Sequence, residues 1–300
     1  MKTVAILGPT ASGKTDLALR LARRFGAVIL SLDSLSVYRE IDIASAKPTP
    51  EERGTIPHCG IDLLWPDEPF HTAAYTELYR VAKERAQRAG RPLLIVGGTG
   101  FYLKTLMEGI SHLPPLNDEA RKAVETRMAD LPKAYEALKG LDPTYAERIA
   151  PADRYRIEKG WTVYETTGVR PTDWFAAHPP EPLLQNVELY EIGMERERLW
   201  ERIERRTRKM VEEGLVDEVA CLEKRYGRAP HPMKAIGIVE VLDYFDGKLT
   251  MEEMVERIAI HTRQLAKRQS TFNATQFPPH PKESAEALYE RIAKSLDESL

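Results

Sequence analysis

The sequence predicts an α/β fold, in which a parallel sheet with helices on both faces carries an all-helical insertion domain. Short apolar runs at Thr3–Leu7, Val28–Leu32 and Leu93–Val96 alternate with helical stretches, a pattern typical of a parallel sheet covered on both faces. A glycine-rich loop joins the first run to the first helix. Between His112 and about Asn186 the strand pattern disappears and helix-capping signals replace it, which predicts the insertion.

The helices of the core follow from periodicity and from their end signals. Apolar residues four apart mark the first helix: Leu17, Leu21 and Phe25. That helix is expected from Lys14 to about Phe25. Ala73–Ala89 predicts the helix before the third strand, because Gly90-Arg91-Pro92 ends it.

The second half of the chain returns to the core after the insertion. Within the insertion, Asp142-Pro143 and Pro151-Ala152-Asp153 begin helices, and Gly168 is expected to end the second one. Val187–Ile192 alternates like a returning strand, and long helices follow it: Arg196 to about Glu213, Val216 to Tyr226 and Met251 to Gln269. The expected domains are residues 1–112 with 187–300 as the α/β core, and 113–186 as the helical insertion.

Composition excludes several classes of protein. The chain has 300 residues, 42% of them hydrophobic and 30% charged, a balance typical of globular proteins. No apolar run is long enough for a membrane span, and the N-terminus lacks a signal-peptide pattern. Two cysteines predict neither a disulfide framework nor a zinc cluster. We expect a cytoplasmic monomer without membrane contact, and a net charge of −3 means that any nucleic-acid binding needs a local basic surface.

The run Gly8-Pro9-Thr10-Ala11-Ser12-Gly13-Lys14-Thr15 matches the phosphate-binding pattern G-x-x-x-x-G-K-[ST] between a strand and a helix. Its backbone N–H groups and the helix N-terminus favour an anion. Lys14 is expected to neutralise the terminal phosphates, and the Thr15 hydroxyl to reach a bound Mg²⁺. The predicted core is therefore a P-loop NTPase-like parallel sheet.

One carboxylate follows a core strand close to this loop. Asp33 ends the second strand, where it could steer magnesium or accept a proton from a nucleophile, although a simple turn-capping role also fits. The third strand runs into Gly97-Gly98-Thr99-Gly100, without the acidic residue that phosphoryl-transfer enzymes use there. This turn either brings the Thr99 hydroxyl to the site or is only a tight turn.

Six segments occur together in one order: Gly8–Thr15, Ser31–Ala46 with Lys47-Pro48-Thr49, His58–Asp62, Val96–Leu103, Ala235–Gly237 and Thr262–Gln269. Together they resemble the tRNA dimethylallyltransferase (tRNA isopentenyltransferase) family over about residues 1–110 and 190–272. The resemblance implies transfer of a dimethylallyl group from dimethylallyl diphosphate to N6 of adenine 37 in tRNA. The phosphate loop would then hold the prenyl diphosphate instead of ATP.

The resemblance also implies roles for individual residues. Mg²⁺, Lys14 and Thr15 would stabilise the departing pyrophosphate, Asp33 would accept the N6 proton or orient the amine, and Thr99 would bond near the adenine or the diphosphate. The diphosphate-binding set comprises the phosphate loop with Arg202 and Arg206. These arginines share one face of a helix, although pairing with neighbouring glutamates on a solvated surface would also explain them.

The residues that the resemblance places against tRNA fall in two segments: Asp33, Ser34, Leu35 and Ser36, and Tyr155, Arg156, Ile157, Glu158 and Lys159. Both segments depart from the family pattern, since Ser36 replaces a glutamine and the second segment keeps only part of the usual motif.

Three other functions stay open at this stage. An adenylate isopentenyltransferase would use a free nucleotide, which needs no helical insertion to hold an anticodon stem. A P-loop small-molecule kinase would need an acid after the third strand. A non-catalytic nucleotide-binding or RNA-binding module would not need Lys14, Thr15 and Asp33 together.

Overall fold

The computed structural model describes residues 1–70 and 72–298, without the side chains of residues 72 and 73. His71, Ser299 and Leu300 lie outside the described residues. The chain divides into two compact units, residues 1–104 with 184–300, and residues 105–183. The expected division placed the boundaries at 113 and 186.

In the described residues, one six-stranded parallel sheet lies in the first unit. The strands are β1 (Thr3–Leu7), β2 (Val28–Ser31), β3 (His58–Cys59), β4 (Leu93–Val96), β5 (Val187–Ile192) and β6 (Lys282–Glu283). Their order across the sheet is β3-β2-β4-β1-β5-β6. Strand β1 therefore lies between β4 and β5, with Ala5 opposite Ile95 on one side and Leu189 on the other.

Helices connect and cover the strands. The first unit contains α1 (Lys14–Phe25), α2 (Pro50–Arg53), α3 (Thr72–Ala89) and α4 (Gly100–Glu108), whose last residues belong to the second unit. The second unit also contains α5 (Asp118–Met128), α6 (Leu131–Leu141), α7 (Pro143–Ala146), α8 (Arg154–Thr167) and α9 (Pro171–Ala177). The chain then returns to the first unit with α10 (Arg196–Glu212), α11 (Leu215–Tyr226), α12 (Ile238–Phe245), α13 (Met251–Gln276) and α14 (Ala285–Asp297).

Both faces of the sheet are buried. Val4 and Ile6 of β1 pack in one cluster with residues of α1 and α14. Because successive side chains of a strand point to opposite faces, Ala5 belongs to the other face, and it too is fully buried. This explains why the strands are continuous apolar runs instead of alternating ones.

The carboxyl ends of three neighbouring strands position the candidate site. The phosphate loop follows β1, Asp33 lies two residues after β2, and Gly97 follows β4 directly. In parallel sheets ligands bind at this edge. The fold therefore brings together three loops that are far apart in the sequence.

The second unit has its own core. Ile157 and Trp161 of α8 are buried against Leu138 of α6, and the Trp161 indole N–H donates to the carbonyl of Ala134 over 3.1 Å. Gly168 ends α8 in the left-handed conformation, with φ of 70°, as expected from its position.

The structure adds elements that the sequence pattern did not predict. Strands β3 and β6 have two residues each, α12 was not anticipated, and α13 continues to Gln276 instead of ending at Gln269. Helix α14 completes the core through Leu288, Ile292 and Leu296. Within residues 1–70 and 72–298, every helix is too short or too polar to cross a membrane.

Candidate functional site

The phosphate loop ends at an uncapped helix N-terminus. Gly13 precedes α1 with φ of 102°, and as a glycine it has no side chain that could cap the first N–H groups of the helix. Such N–H groups lack partners within the helix and carry its partial positive charge. The start of α1 can therefore bind an anion through its backbone.

Three side chains contact the backbone of this loop. Lys14 Nζ donates to the carbonyl of Pro9 over 2.6 Å, and Arg202 Nε donates to the carbonyl of Ala11 over 2.8 Å. The Thr10 N–H donates to Oε1 of Gln269 over 2.7 Å. The first of these partners belongs to α1, the others to α10 and α13, so two distant helices hold the loop in place.

Two cations lie close together beside the loop. Burial, with a smaller contribution from the Arg206 guanidinium, lowers the pKa of Lys14 to about 7. Burial also lowers the pKa of Arg206, with Arg202 adding to the effect and Asp33 opposing it. In the part of the chain that is described, Arg206 has no hydrogen bond or ion pair. An anion bound here would therefore neutralise two cations that now repel each other.

Asp33 uses one of its two carboxylate oxygens in its own turn. Oδ1 accepts the N–H groups of Leu35 over 2.8 Å and of Ser36 over 3.1 Å. Asp33 also lines the cleft described below. The turn-capping role anticipated as an alternative is present, and it leaves Oδ2 available for another partner.

The turn after β4 packs directly against the segment that carries Asp33. The Thr99 N–H donates to the carbonyl of Leu32 over 3.1 Å. A Cβ added at Gly97 would lie 2.4 Å from that same carbonyl oxygen, so this close approach requires glycine. Among the described residues, Gly97 and Gly98 line the cleft and Thr99 does not. The proposed chemical role of Thr99 stays a prediction.

These parts line one cleft of about 1040 Å³ in the first unit. Its wall includes Thr10, Ala11, Gly13, Lys14 and Thr15 of the loop, Asp33 and Ser36, and the α10 residues Arg202, Arg205, Arg206 and Lys209. The side chains of Arg205 and Lys209 are exposed. The cleft is therefore strongly basic on its α10 side, although the whole chain is slightly acidic.

No cluster of three or more His, Cys, Asp or Glu suitable for a metal ion occurs in residues 1–70 and 72–298. Magnesium does not need such a cluster, because it commonly takes one or two protein oxygens and completes its shell with phosphate and water. Thr15 is exposed and lines the cleft. The residues present thus fit a magnesium ion that arrives with a diphosphate.

A partly buried carboxylate holds another part of the cleft wall, the segment that contains Asp42 and Ile43. Glu218 of α11 accepts the N–H groups of Asp42, Ile43 and Ala44 over 2.9, 2.7 and 2.9 Å. Burial raises the pKa of Glu218, and these three backbone bonds oppose the rise. The ammonium of Lys47, which follows this segment, donates to the carbonyl of Tyr38, which precedes it, over 2.9 Å.

Gln269 and Glu218 are site residues that the sequence-based predictions do not include. Gln269 is the last residue of the Thr262–Gln269 segment that carries part of the family resemblance, and Glu218 lies in the amphipathic helix α11. Their partners lie 259 and at least 174 residues away in the chain. Only the family motif ending in Gln269 gave a local signal.

The structure corrects one of the predicted tRNA contacts. Ile157 is fully buried in the core of the second unit, so its side chain packs there and cannot contact tRNA. The neighbouring Tyr155 is 71% exposed, and Arg156 and Glu158 are exposed as well. Lys159 is partly buried and lies over the Phe175 ring.

The residues of the other segment predicted to contact tRNA, Asp33–Ser36, also differ in their exposure. Ser36 is 4% exposed but lines the cleft, while Ser34 is exposed and Leu35 half-buried outside it. Ser36 thus remains a candidate for contact with a substrate that enters the cleft.

Comparison with known proteins gives consistent results. A family model described as IPP transferase matches residues 36–276, and one described as isopentenyl transferase matches residues 1–57. A tRNA dimethylallyltransferase of Wolinella succinogenes is 47% identical over 300 residues, which is 100% of each chain.

Solved structures agree with the sequence relatives. The tRNA delta(2)-isopentenylpyrophosphate transferase of Staphylococcus epidermidis superimposes with a TM-score of 0.71 at 30% identity, covering 100% of both chains. A eukaryotic dimethylallyltransferase acting on tRNA superimposes with a TM-score of 0.80 at 28% identity, covering 91% of this chain and 70% of that one.

Proposed function

Because the chain belongs to the IPP transferase family, we propose that it transfers a dimethylallyl group from dimethylallyl diphosphate to N6 of adenine 37 in tRNA. Relatives that match this chain over its full length are named tRNA dimethylallyltransferases. The product is N6-dimethylallyladenosine within the tRNA, and inorganic pyrophosphate is released.

The observation that carries the proposal is that two cations, Lys14 and Arg206, lie close together at the phosphate loop. Two adjacent buried or partly buried cations and an uncapped helix N-terminus form a site for a multiply charged anion. No acidic residue follows β4 to organise phosphoryl transfer, because Gly97 and Gly98 stand there. This combination favours a diphosphate that departs intact over a phosphate that is transferred.

The reaction breaks the bond between C1 of the dimethylallyl group and the diphosphate oxygen, and it forms a bond between C1 and N6 of the adenine. Lys14, Arg206 and the N–H groups at the start of α1 stabilise the negative charge that develops on the leaving pyrophosphate. The free oxygen of Asp33 accepts the proton that N6 loses. A magnesium ion held by Thr15 and the diphosphate would supply further charge neutralisation.

The tRNA substrate is expected to present its adenine outside the base stack, since an adenine within the anticodon stack cannot reach a cleft-bound diphosphate. Exposed Tyr155 and Arg156 of the second unit offer an aromatic ring and a cation to the anticodon stem-loop. We place the reaction in the cytoplasm, where tRNA is modified, and we expect the enzyme to act as a monomer.

A label-transfer assay tests the proposal. The protein is incubated with Mg²⁺, labelled dimethylallyl diphosphate and either unmodified tRNA that carries A36-A37-A38 or AMP. We expect label on the tRNA and none on AMP. Label on AMP alone would support an adenylate isopentenyltransferase, and ATP turnover without label on either acceptor would support a kinase.

A further inference from the structure

We propose that Gln269 is a positioning residue: it holds the phosphate loop in its anion-binding shape and links that loop to the glycine turn after β4. The consequence for catalysis rests on the proposed function. The contact itself rests on geometry within the first unit.

The first observation is the hydrogen bond from the Thr10 N–H to Oε1 of Gln269, 2.7 Å long. This is a short bond between groups 259 residues apart. Because the Thr10 N–H donates to Gln269, it cannot donate to an anion in the cleft. An anion is therefore bound by the N–H groups nearer the start of α1. Gln269 therefore determines which part of the loop points toward the cleft.

The second observation is the backbone conformation next to that bond. Ala11 has φ of +64°, a left-handed conformation that costs a residue with a Cβ roughly 1 kcal/mol or more. Such a conformation persists only where neighbouring contacts enforce it. Gln269 holds the N–H of the preceding residue, and Arg202 holds the carbonyl of Ala11 itself.

The third observation is the absence of a side chain at Gly98. A Cβ added there would lie 2.3 Å from Nε2 of Gln269, far closer than any tolerated contact. The backbone of Gly98 does not have a positive φ, so its own conformation does not require glycine. Its lack of a side chain makes room for the Gln269 amide.

One side chain thus spans the loop after β1 and the turn after β4. A glutamine suits this place because its amide has an acceptor oxygen for Thr10 and an amino group that lies against Gly98. The turn that carries Thr99 and the loop that binds the anion are therefore fixed with respect to each other. We expect loss of Gln269 to loosen the diphosphate site before it affects tRNA binding.

The test measures binding of inorganic pyrophosphate with Mg²⁺ by calorimetry, which needs neither tRNA nor transfer. Gln269→Ala is expected to raise the pyrophosphate Kd about tenfold, the effect of one lost hydrogen bond to an enforced loop. The KM for dimethylallyl diphosphate should rise similarly while the KM for tRNA stays unchanged. Gln264→Ala, the same substitution at an exposed position of α13, serves as the matched control and should change neither constant.

A double-mutant cycle separates positioning from general destabilisation. Gly98→Ala alone should push the Gln269 amide away from Thr10 and raise the pyrophosphate Kd to a similar extent. Adding Gly98→Ala to the Gln269→Ala variant should then cost nothing further. If Gln269→Ala does not fold, Gln269→Met keeps the length of the side chain without its acceptor and must show the same increase.

An unchanged pyrophosphate Kd in a folded Gln269 variant would overturn the proposal. So would full additivity of the two substitutions, because it would mean that Gly98 and Gln269 act separately. Failure of tRNA transfer in the wild-type protein, with these pyrophosphate effects intact, would contradict the proposed function alone.

Discussion

The guanidinium of Arg206 lies near enough to the Lys14 ammonium to lower the pKa of that lysine, beyond the larger effect of burial. Like charges held close together destabilise the site in the absence of an anion. Two neighbouring cations also bind a more negative ligand more tightly, because such an anion neutralises the charge of both. A diphosphate with two or three charges fits this arrangement.

The pKa of about 7 at Lys14 predicts that anion binding takes up a proton above neutral pH. Below pH 7 the free lysine is already charged, and above it the lysine is neutral until the anion raises its pKa. Pyrophosphate affinity should therefore fall as the pH rises from 7 to 9, by at most about tenfold per unit.

Calorimetry in buffers of different ionisation enthalpy measures this proton uptake. Lys14→Arg is the control, since an arginine stays charged throughout this range and leaves only the protonation of the ligand itself. Equal proton uptake by the wild type and this variant at pH 8 would contradict the assignment to Lys14.

Arg206 and Arg205 are neighbours on α10 that allow a matched comparison. Both line the cleft, but Arg206 is partly buried and interacts with Lys14 and Asp33, whereas Arg205 is exposed. Arg206→Gln should raise the KM for dimethylallyl diphosphate about 10- to 100-fold, the effect of losing a charged hydrogen-bond donor. Arg205→Gln removes the same charge and should change this KM by less than about threefold. Similar increases for the two variants would show that only the overall basic charge of α10 matters.

Asp33→Asn tests the proton acceptor without disturbing the turn. The asparagine oxygen can still accept the N–H groups of Leu35 and Ser36, so the loop should keep its shape. The kcat is expected to fall about 10²- to 10⁴-fold, the usual contribution of a general base, while pyrophosphate binding stays within about twofold. A parallel loss of pyrophosphate affinity would mean that Asp33 serves chiefly to organise the anion site.

Arg156 is expected to contact a tRNA phosphate, although it now pairs with Asp153 at 3.1 Å. Arg156→Gln should weaken tRNA binding and reduce the slope of log K against log salt concentration by about one. Lys133→Gln, which removes another paired cation of the second unit, is the control. An unaltered salt slope in Arg156→Gln would contradict the phosphate contact.

Ile157→Val should instead lower the free energy of unfolding by about 0.5–1.5 kcal/mol and leave the tRNA affinity unchanged.

The sequence predicted the elements whose signals are local. Strand β1, the phosphate loop and α1 follow from an apolar run, a glycine pattern and a spacing of four, all within the first 25 residues. Strands β3 and β6 were missed because two residues are too few to show periodicity. Only their neighbours in the sheet define them as strands.

The sequence predicts the charged residues of the site, but it does not predict the residues that hold the surrounding loops in place. Lys14 follows from the phosphate-binding pattern, Asp33 from its place after a core strand and Arg206 from the family resemblance, and the fold brings all three to one cleft. Gln269 and Glu218 bond to backbone groups in distant loops, which no local pattern reveals. The resemblance places the whole Tyr155–Lys159 segment against tRNA, whereas the spacing of four between Ile157 and the buried Trp161 places Ile157 on the inner face of α8.

The central claim is that this cleft alkylates one adenine of a tRNA. The most direct measurement uses two anticodon stem-loops that differ only in A or G at position 37, each incubated with dimethylallyl diphosphate and Mg²⁺ and then digested to nucleosides for mass spectrometry. The account predicts an adenosine heavier by one dimethylallyl group from the A37 stem-loop, none from the G37 stem-loop, and none with Asp33→Asn on the same time scale. A modified nucleoside from the G37 stem-loop, or no modified adenosine from the A37 stem-loop with the wild-type protein, would contradict it.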